Sequence, residues 1–362
     1  MAARRSRRNL DGADPRGQTQ KHRPEPHSLP VHPHEARPLK LIIQIPCYNE
    51  AATLGVAVAA LPRQVPGFDV VEWLVIDDGS RDGTADVARR LGVDHVIPHA
   101  RNQGLARAFM TGLHACLAAG ADVIVNTDAD NQYNADDIPA LVAPVVAGQA
   151  EIVVGARPIE NMQNFSLLKR GLQLLGSWVV RVASHTDIPD APSGFRAISR
   201  TAAQRLMVFN DYTYTLETII QAGQKNMAIT SVPVRVNPDL RPSRLVRSIG
   251  SYVKIGMFTI MRIFVIYRPF RFFGTIGVTL FAAGFLLGLR FVAAYAAGHG
   301  NGHIQSLILA SVLLSMGFQT LLVAFLADLL AANRLLLEDI RFRQQQTDER
   351  VARLTAQRRH DG

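Results

Sequence analysis

Cysteine is scarce in this 362-residue chain, with only Cys47 and Cys116 present. They are too few and too far apart to suggest a disulfide framework or a zinc site, and they fit a catalytic part kept in a reducing, cytoplasmic compartment. The first 40 residues are rich in Arg, Pro and His and hold no apolar run, which excludes a secretion signal and a core element. Residues 1–40 therefore read as a disordered basic tail suited to anionic lipid. Glycine is missing where a dinucleotide fold needs it: Pro46–Ala52, after the first apolar run, carries no glycine fingerprint, so a nicotinamide enzyme is not expected even though an acidic pair follows the second run. Tryptophan is limited to Trp73 and Trp178.

The 48% hydrophobic content would suit a soluble α/β protein, but apolar residues crowd into the last third. Phe272–Gly298 and Ile304–Ala332 each supply the roughly 20-residue stretch that spans a bilayer. Arg268 and Arg271 precede the first span and Arg334, Arg341 and Arg343 follow the second, whereas Gly298–His303 has no Lys or Arg. Positive-inside counting then predicts a multi-pass protein of the inner (plasma) membrane with both chain ends cytoplasmic. Arg290 and Asp328 are the ionisable residues inside the spans. In a hairpin turning near Asn301, Arg290 lies opposite about Val312, roughly 24 Å from Asp328 at 1.5 Å per residue. Snorkelling, or contacts in a homo-oligomer, are expected there in place of an intrachain ion pair. Upstream, Arg244, Arg247, Lys254, Arg262 and Arg268 fall within about 120° on a helical wheel, with Ile249, Val253, Met257, Ile260 and Phe264 on other faces. This is either a core helix with a solvated face or an amphipathic helix lying in a membrane interface, and the adjoining span favours the second. No nucleic-acid partner is expected for the formal charge of +9.

From Leu41 short apolar runs alternate with helical stretches. Leu41–Ile45, Trp73–Ile76, Val123–Val125 and Ile152–Val154 read as strands. Ala51–Leu61, Thr84–Leu91, Ala106–Ala119 and Ala135–Val146 read as helices. The alternation predicts a parallel sheet covered on both faces, with ligands at the strand carboxyl ends. A second region, Phe165–Val236, supplies helices at Leu167–Ala183 and Leu216–Ala222, the loop Thr186–Arg196 and a strand at Ala228–Val234. The polar clusters that end the strands hold the candidate chemistry. Asp128-Ala129-Asp130 is a pair of carboxylates where a buried strand opens into a loop; it could be a helix cap, or it could hold a hard divalent cation against a phosphorylated substrate.

Pro46-Cys47-Tyr48-Asn49-Glu50, Asp77-Asp78-Gly79-Ser80-Arg81-Asp82-Gly83-Thr84, Asn102-x-Gly104 and Asp128-Ala129-Asp130-Asn131-Gln132 together resemble the family 2 glycosyltransferases of the GT-A fold. With the two terminal spans, the chain resembles the polyprenyl-phosphate glycosyltransferases of that family, the dolichol-phosphate mannose synthase-like group, over about Leu41 to Ala332. The resemblance implies a GT-A (Rossmann-like nucleotide-diphospho-sugar transferase) domain at residues 41–240, juxtamembrane amphipathic helices at 241–270, a transmembrane hairpin at 271–333 and a cytoplasmic tail at 334–362.

It also implies roles. Pro46, Tyr48 and Glu50 line the nucleotide pocket; Asp77 and Asp78 form an acidic pair, one of which faces the base. Asp128, Asp130 and Gln132 hold Mg²⁺ or Mn²⁺, with Asp128 also near the nucleotide, an oxygen set that suits a hard cation. Arg157, in Gly155-Ala156-Arg157, and Arg170, in Lys169-Arg170-Gly171, bind the acceptor phosphate; an exposed loop Arg is the plain alternative for Arg157. Asp190, in Asp190-Ala191-Pro192-Ser193-Gly194-Phe195-Arg196, is the candidate base, although a phosphate monoester is already largely dianionic at pH 7. Ser243 and Arg244 align with a further phosphate-binding element, and Arg241 takes the place of an upstream Arg. The implied reaction is inverting transfer of a hexosyl group from a UDP- or GDP-linked sugar to polyprenyl phosphate. A processive polysaccharide synthase would share the core but carries a Gln-x-x-Arg-Trp motif, absent around Trp73 and Trp178. A catalytically silent membrane scaffold would not need these acidic and Arg positions.

Overall fold

The computed structural model describes residues 38–158, 181, 184, 186–208, 214–238, 261–262, 265–298 and 304–360. Seven strands form one sheet: β1 (Lys40–Cys47), β2 (Val70–Asp77), β3 (His95–Pro98), β4 (Val123–Asn126), β5 (Ile152–Ala156), β6 (Arg196–Ser199) and β7 (Ile229–Pro233), in the order β3-β2-β1-β4-β6-β5-β7. The helices packed on it are α1 (Leu54–Ala60), α2 (Thr84–Arg90), α3 (Leu105–Ala118), α4 (Ile138–Val146), α5 (Arg200–Arg205) and α6 (Thr215–Gln224).

Alternation along β1 explains the two-faced core. Leu41, Ile43, Ile45 and Cys47 face a cluster that includes Leu54, Ala88, Ile138 and Leu141, from α1, α2 and α4. Ile42 faces the opposite side with Phe109, Leu113 and Ala202, from α3 and α5. Strands buried on both faces read as unbroken apolar runs, which is why these four-to-eight-residue strands were visible in the sequence. The helices start and stop where local chemistry requires. Ser199 caps α5 by accepting from the Ala202 N–H at 3.2 Å, and α3 is followed by Gly120 at φ +86°, a left-handed exit suited to glycine.

The sheet is mixed, which corrects the expectation of a parallel one. β6 runs antiparallel to both β4 and β5. It is a four-residue strand, Arg-Ala-Ile-Ser, placed between two apolar strands by tertiary pairing, and no periodicity announces it. The reversal matters for the site. The carboxyl ends of β1, β2, β4 and β5 share one edge with the amino end of β6, so the loop preceding Arg196 arrives at that edge too.

Two further helices, α7 (Pro269–Ala296) and α8 (Ile304–His360), are long and apolar enough to cross a membrane. They pack antiparallel through small residues. Gly277 faces Leu321, Gly284 faces Ala310 and Leu314, and a Cβ on Gly317 would lie 2.6 Å from the Phe281 amide nitrogen. This register puts Arg290 level with Ile308, one turn from the expected Val312. Asp328 then lies about 30 Å further along at 1.5 Å per residue, so the two are too distant to pair. Within the expected tail, residues 334–360 continue the same helix. Large apolar side chains such as Leu286 (64% exposed) and Leu330 (69%) face outward from the pair. The basic tail at 1–37 and most of the 241–270 segment lie outside the described residues.

Candidate active site

The β1–α1 and β2–α2 loops are zipped together at the carboxyl edge. Asn49, at φ +54°, donates its N–H to Ser80 Oγ at 2.8 Å and accepts from the Arg81 N–H at 2.9 Å. Asp82 Oδ2 accepts from the Ala51 N–H. Pro46 is buried at the end of β1, the Tyr48 side chain is 45% exposed, and the buried Glu50 accepts from Thr53 Oγ1 at 2.7 Å. Cys47, behind this loop, is a buried thiol whose pKa is pushed up by burial and by Glu50 and Asp77.

The acidic pair divides its work. Asp78 Oδ1 meets His99 Nδ1 at 2.7 Å and accepts from the Gln103 N–H, while Oδ2 accepts from the Gly104 N–H at 2.8 Å. Asp78 thus braces the Asn102-x-Gly104 turn that opens α3. Asp77 Oδ1 accepts from the Ser80 N–H at 3.1 Å. Gly79 is required between them and that turn. At φ +70°, its Cβ position would fall 2.5 Å from the Asn102 nitrogen.

Beyond β4, Asp130 Oδ1 accepts from the Gln132 N–H at 3.2 Å, and Asn131 takes φ +58°. The loop is tied from outside by the chain after β7: the Asn237 N–H donates to Gln132 O, and its Nδ2 to Asn131 O. The Asp128 carboxyl is pushed up to about 7, by burial first and then by the nearby Asp130 charge, with Glu50 adding to it and Arg157 and Arg196 opposing it. Crowded carboxylate oxygens that resist ionisation are what a bound divalent cation relieves, and oxygen donors are its preferred ligands. Asp128 and Asp130 therefore offer the kind of oxygen donors that a Mg²⁺- or Mn²⁺-type ion takes.

The reversed strand brings the 190–196 loop against this one. Asn126, fully buried at the end of β4, donates from Nδ2 to Gly194 O at 2.9 Å and contacts Tyr214 Oη at 2.8 Å. Its Oδ1 accepts from Gln44 Nε2 at 2.9 Å. Tyr133 Oη accepts from the Gly194 N–H at 3.0 Å, and its ring stacks on Phe195. Gly194 is small for a reason, since a Cβ there would come 3.1 Å from Asp128 Oδ1. Beneath the loop the fully buried Arg196 donates to Ser193 O and Ala191 O, both at 2.9 Å, and to Thr218 Oγ1. At the loop's start Asp190, also fully buried, holds Arg157 in a fork: Nε to Oδ2 at 2.7 Å and Nη2 to Oδ1 at 3.0 Å, with the Arg157 N–H adding a third contact.

The model of glycosyl transferase family 2 matches residues 42–207. UDP-N-acetylglucosamine–dolichyl-phosphate N-acetylglucosaminyltransferase of Methanococcus voltae is 30% identical over 53% of this chain and 83% of its own length. The chain belongs to glycosyl transferase family 2. Undecaprenyl-phosphate mannosyltransferase of Micrococcus luteus is 27% identical to this family 2 glycosyltransferase, over 54% of the chain and 83% of its own length. Glucosyl-3-phosphoglycerate synthase of Mycobacterium tuberculosis superposes with a TM-score of 0.49 at 21% identity, over 62% of this chain and 79% of that one.

For this glycosyltransferase the edge gathers Pro46, Tyr48, Glu50, Asp77, Asp78, Asp128, Asp130, Gln132, Arg157 and Asp190. Arg170, Arg241, Ser243 and Arg244 lie outside the described residues. Sequence reasoning missed Gln44, Asn126, Tyr133, Tyr214 and the structural part of Arg196. The available signal was polarity in the wrong place: Gln44 interrupts one apolar strand and Asn126 ends another, and buried amides need partners.

Proposed function

We propose that the chain transfers a hexosyl group from a nucleoside diphosphate sugar to polyprenyl phosphate at the cytoplasmic face of the plasma membrane, with inversion at the anomeric carbon. The observation that carries this reading is the direct joining of the carboxylate loop to the 190–196 loop through Asn126 and Tyr133. That juxtaposition suits a reaction in which a leaving diphosphate and an incoming phosphate meet at one carbon. The names of the relatives, which act on dolichyl phosphate and undecaprenyl phosphate, support the acceptor class. The apolar hairpin supports a membrane-borne one, and the Arg distribution around it supports the orientation.

In this reading Asp128, Asp130 and Gln132 would hold a divalent ion, which would supply positive charge to offset that of the leaving diphosphate. The protein's own contribution is alignment. Asp190 was expected as the base, but both its oxygens are held by Arg157, and a phosphate dianion needs little deprotonation. We assign Asp190 the task of aiming Arg157. The guanidinium has five N–H groups, so those not facing Asp190 can grip acceptor oxygens and hold them for in-line attack.

The test incubates membranes containing the full chain with radiolabelled UDP- and GDP-sugars, undecaprenyl phosphate and Mg²⁺ or Mn²⁺. A chloroform-soluble labelled product is expected, abolished in Asp130→Ala although that variant still inserts. An insoluble polymer would point to a processive synthase, and no product with any donor would refute the proposal.

A further inference from the structure

Helix α6 touches two things at once. Its first turns hold the 190–196 loop, through Thr218 on Arg196 and through Tyr214, which precedes it and donates its hydroxyl to Gly194 O at 3.4 Å. Its far end meets the hairpin. Lys225, the residue after α6, pairs with Glu338 of α8 at 2.7 Å while its other protons go to Arg205 O at 2.6 Å and Gln221 Oε1 at 3.3 Å. Glu338 also accepts from Arg334 Nε at 2.9 Å. Just before α7, Tyr267 donates its hydroxyl to Glu217 of α6 at 2.6 Å, its carbonyl accepts from Gln224 Nε2, and Arg334 lies over its ring at 4.8 Å.

Glu338 and Glu217 are 8% and 7% exposed. Buried ion pairs contribute little to net stability compared with apolar residues of similar volume. Their distinctive property is that they fix position, because an apolar face can slide whereas an ammonium bonded to two fixed acceptors and paired with a buried carboxylate cannot. Glu338 stands six residues past Ala332, about 9 Å along the helix, just outside the apolar stretch.

We propose that the Lys225–Glu338 pair, with Tyr267–Glu217 beside it, is a positioning contact that sets the height and tilt of the 190–196 loop over the bilayer, with Glu338 its key residue. α6 is the strut that transmits the setting. The inference rests on the membrane and lipid-acceptor reading above. Under it, a lipid phosphate confined to one depth meets Arg157 only when the domain is held at the matching depth.

The experiment uses the full chain in phosphatidylethanolamine/phosphatidylglycerol nanodiscs, as wild type, E338Q and E338A, with whichever of UDP-glucose, UDP-N-acetylglucosamine and GDP-mannose the wild type turns over. Each is assayed on undecaprenyl phosphate in the disc and on citronellyl phosphate in detergent. E338A should raise KM for the bilayer acceptor about tenfold while kcat/KM for the soluble one stays within about twofold; E338Q should lie between. A parallel measurement places nitroxides at exposed Asp86 of α2 and Leu329 of α8 by cysteine substitution, and E338A should broaden their distance distribution. Equal losses on both acceptors, no loss on either, or an unchanged distribution would overturn the positioning role. If the wild type transfers no label, the proposed function falls, and the spin-label distances still decide this contact.

Discussion

Asp128 is a carboxylate the fold holds against its own preference, and Asp128→Asn should therefore stabilise the metal-free protein. Its pKa stands at about 7 against an ordinary 3.8, with burial the main cause and Asp130 the next. Three units at about 1.4 kcal/mol each give an upper bound near 4 kcal/mol. Partial exposure screens this, which leaves roughly 1–3 kcal/mol. The pH window follows from the sign. Below about 4 the group is protonated folded and unfolded, and the substitution changes nothing. Between about 4 and 7 only the unfolded chain ionises, so the cost of the native Asp grows with pH, and above 7 it is constant. Thermal unfolding in EDTA should show a Tm gain of about 3–8 °C at pH 8, shrinking to nothing near pH 4. Added Mn²⁺ should raise the wild type and leave the variant unmoved. A variant no more stable than wild type at pH 8 in EDTA would refute the account of this site as a strained, cation-ready cluster.

Arg196→Met keeps much of the side-chain volume but strands the carbonyls of Ala191 and Ser193 beneath the loop. It should cost about 3–5 kcal/mol, read as a lower urea midpoint, and an unchanged midpoint would show that the clamp is not what holds the loop. Asp190→Asn and Arg157→Gln should each raise acceptor KM, and the double variant should lose little more than either. The coupling energy expected is about 2–3 kcal/mol, whereas additive losses would separate the two residues' roles.

The regular half of this molecule was open to reading because its strands are buried on both faces. Leu41–Ile45, Trp73–Ile76, Val123–Val125 and Ile152–Val154 each sit inside an observed strand, and the acidic clusters fall at their carboxyl ends. β3 and β6 were hidden, for a common reason. Each has four residues, β3 at the sheet edge against β2 and β6 between β4 and β5, and pairing decides its conformation more than its own composition. The site was legible as residue types and illegible as partners. That Asp78 would brace Gly104 and Asp190 would take Arg157 depends on loops folding back across 26 and 33 positions, which no local pattern encodes. In α8 the apolar run and the helix have different ends: helix propensity in the Glu-, Arg- and Gln-rich stretch after the run carries the helix on to His360.

The reversed strand β6 has a consequence for how the protein is made. Its partners β4 and β5 leave the ribosome well before it, yet they cannot bond to each other in this sheet order, because the gap between them is reserved for residues 196–199. Half of the sheet must wait with open edges, and unpaired edges invite wrong pairing. All seven strands are nevertheless synthesised before Pro269, so the sheet can close before the greasy helices emerge. Glu338, which meets Lys225 beyond α6, is translated after all seven strands. Chain order therefore sets an order of synthesis: the sheet first, then the two long apolar helices, then the residue that joins α8 to α6.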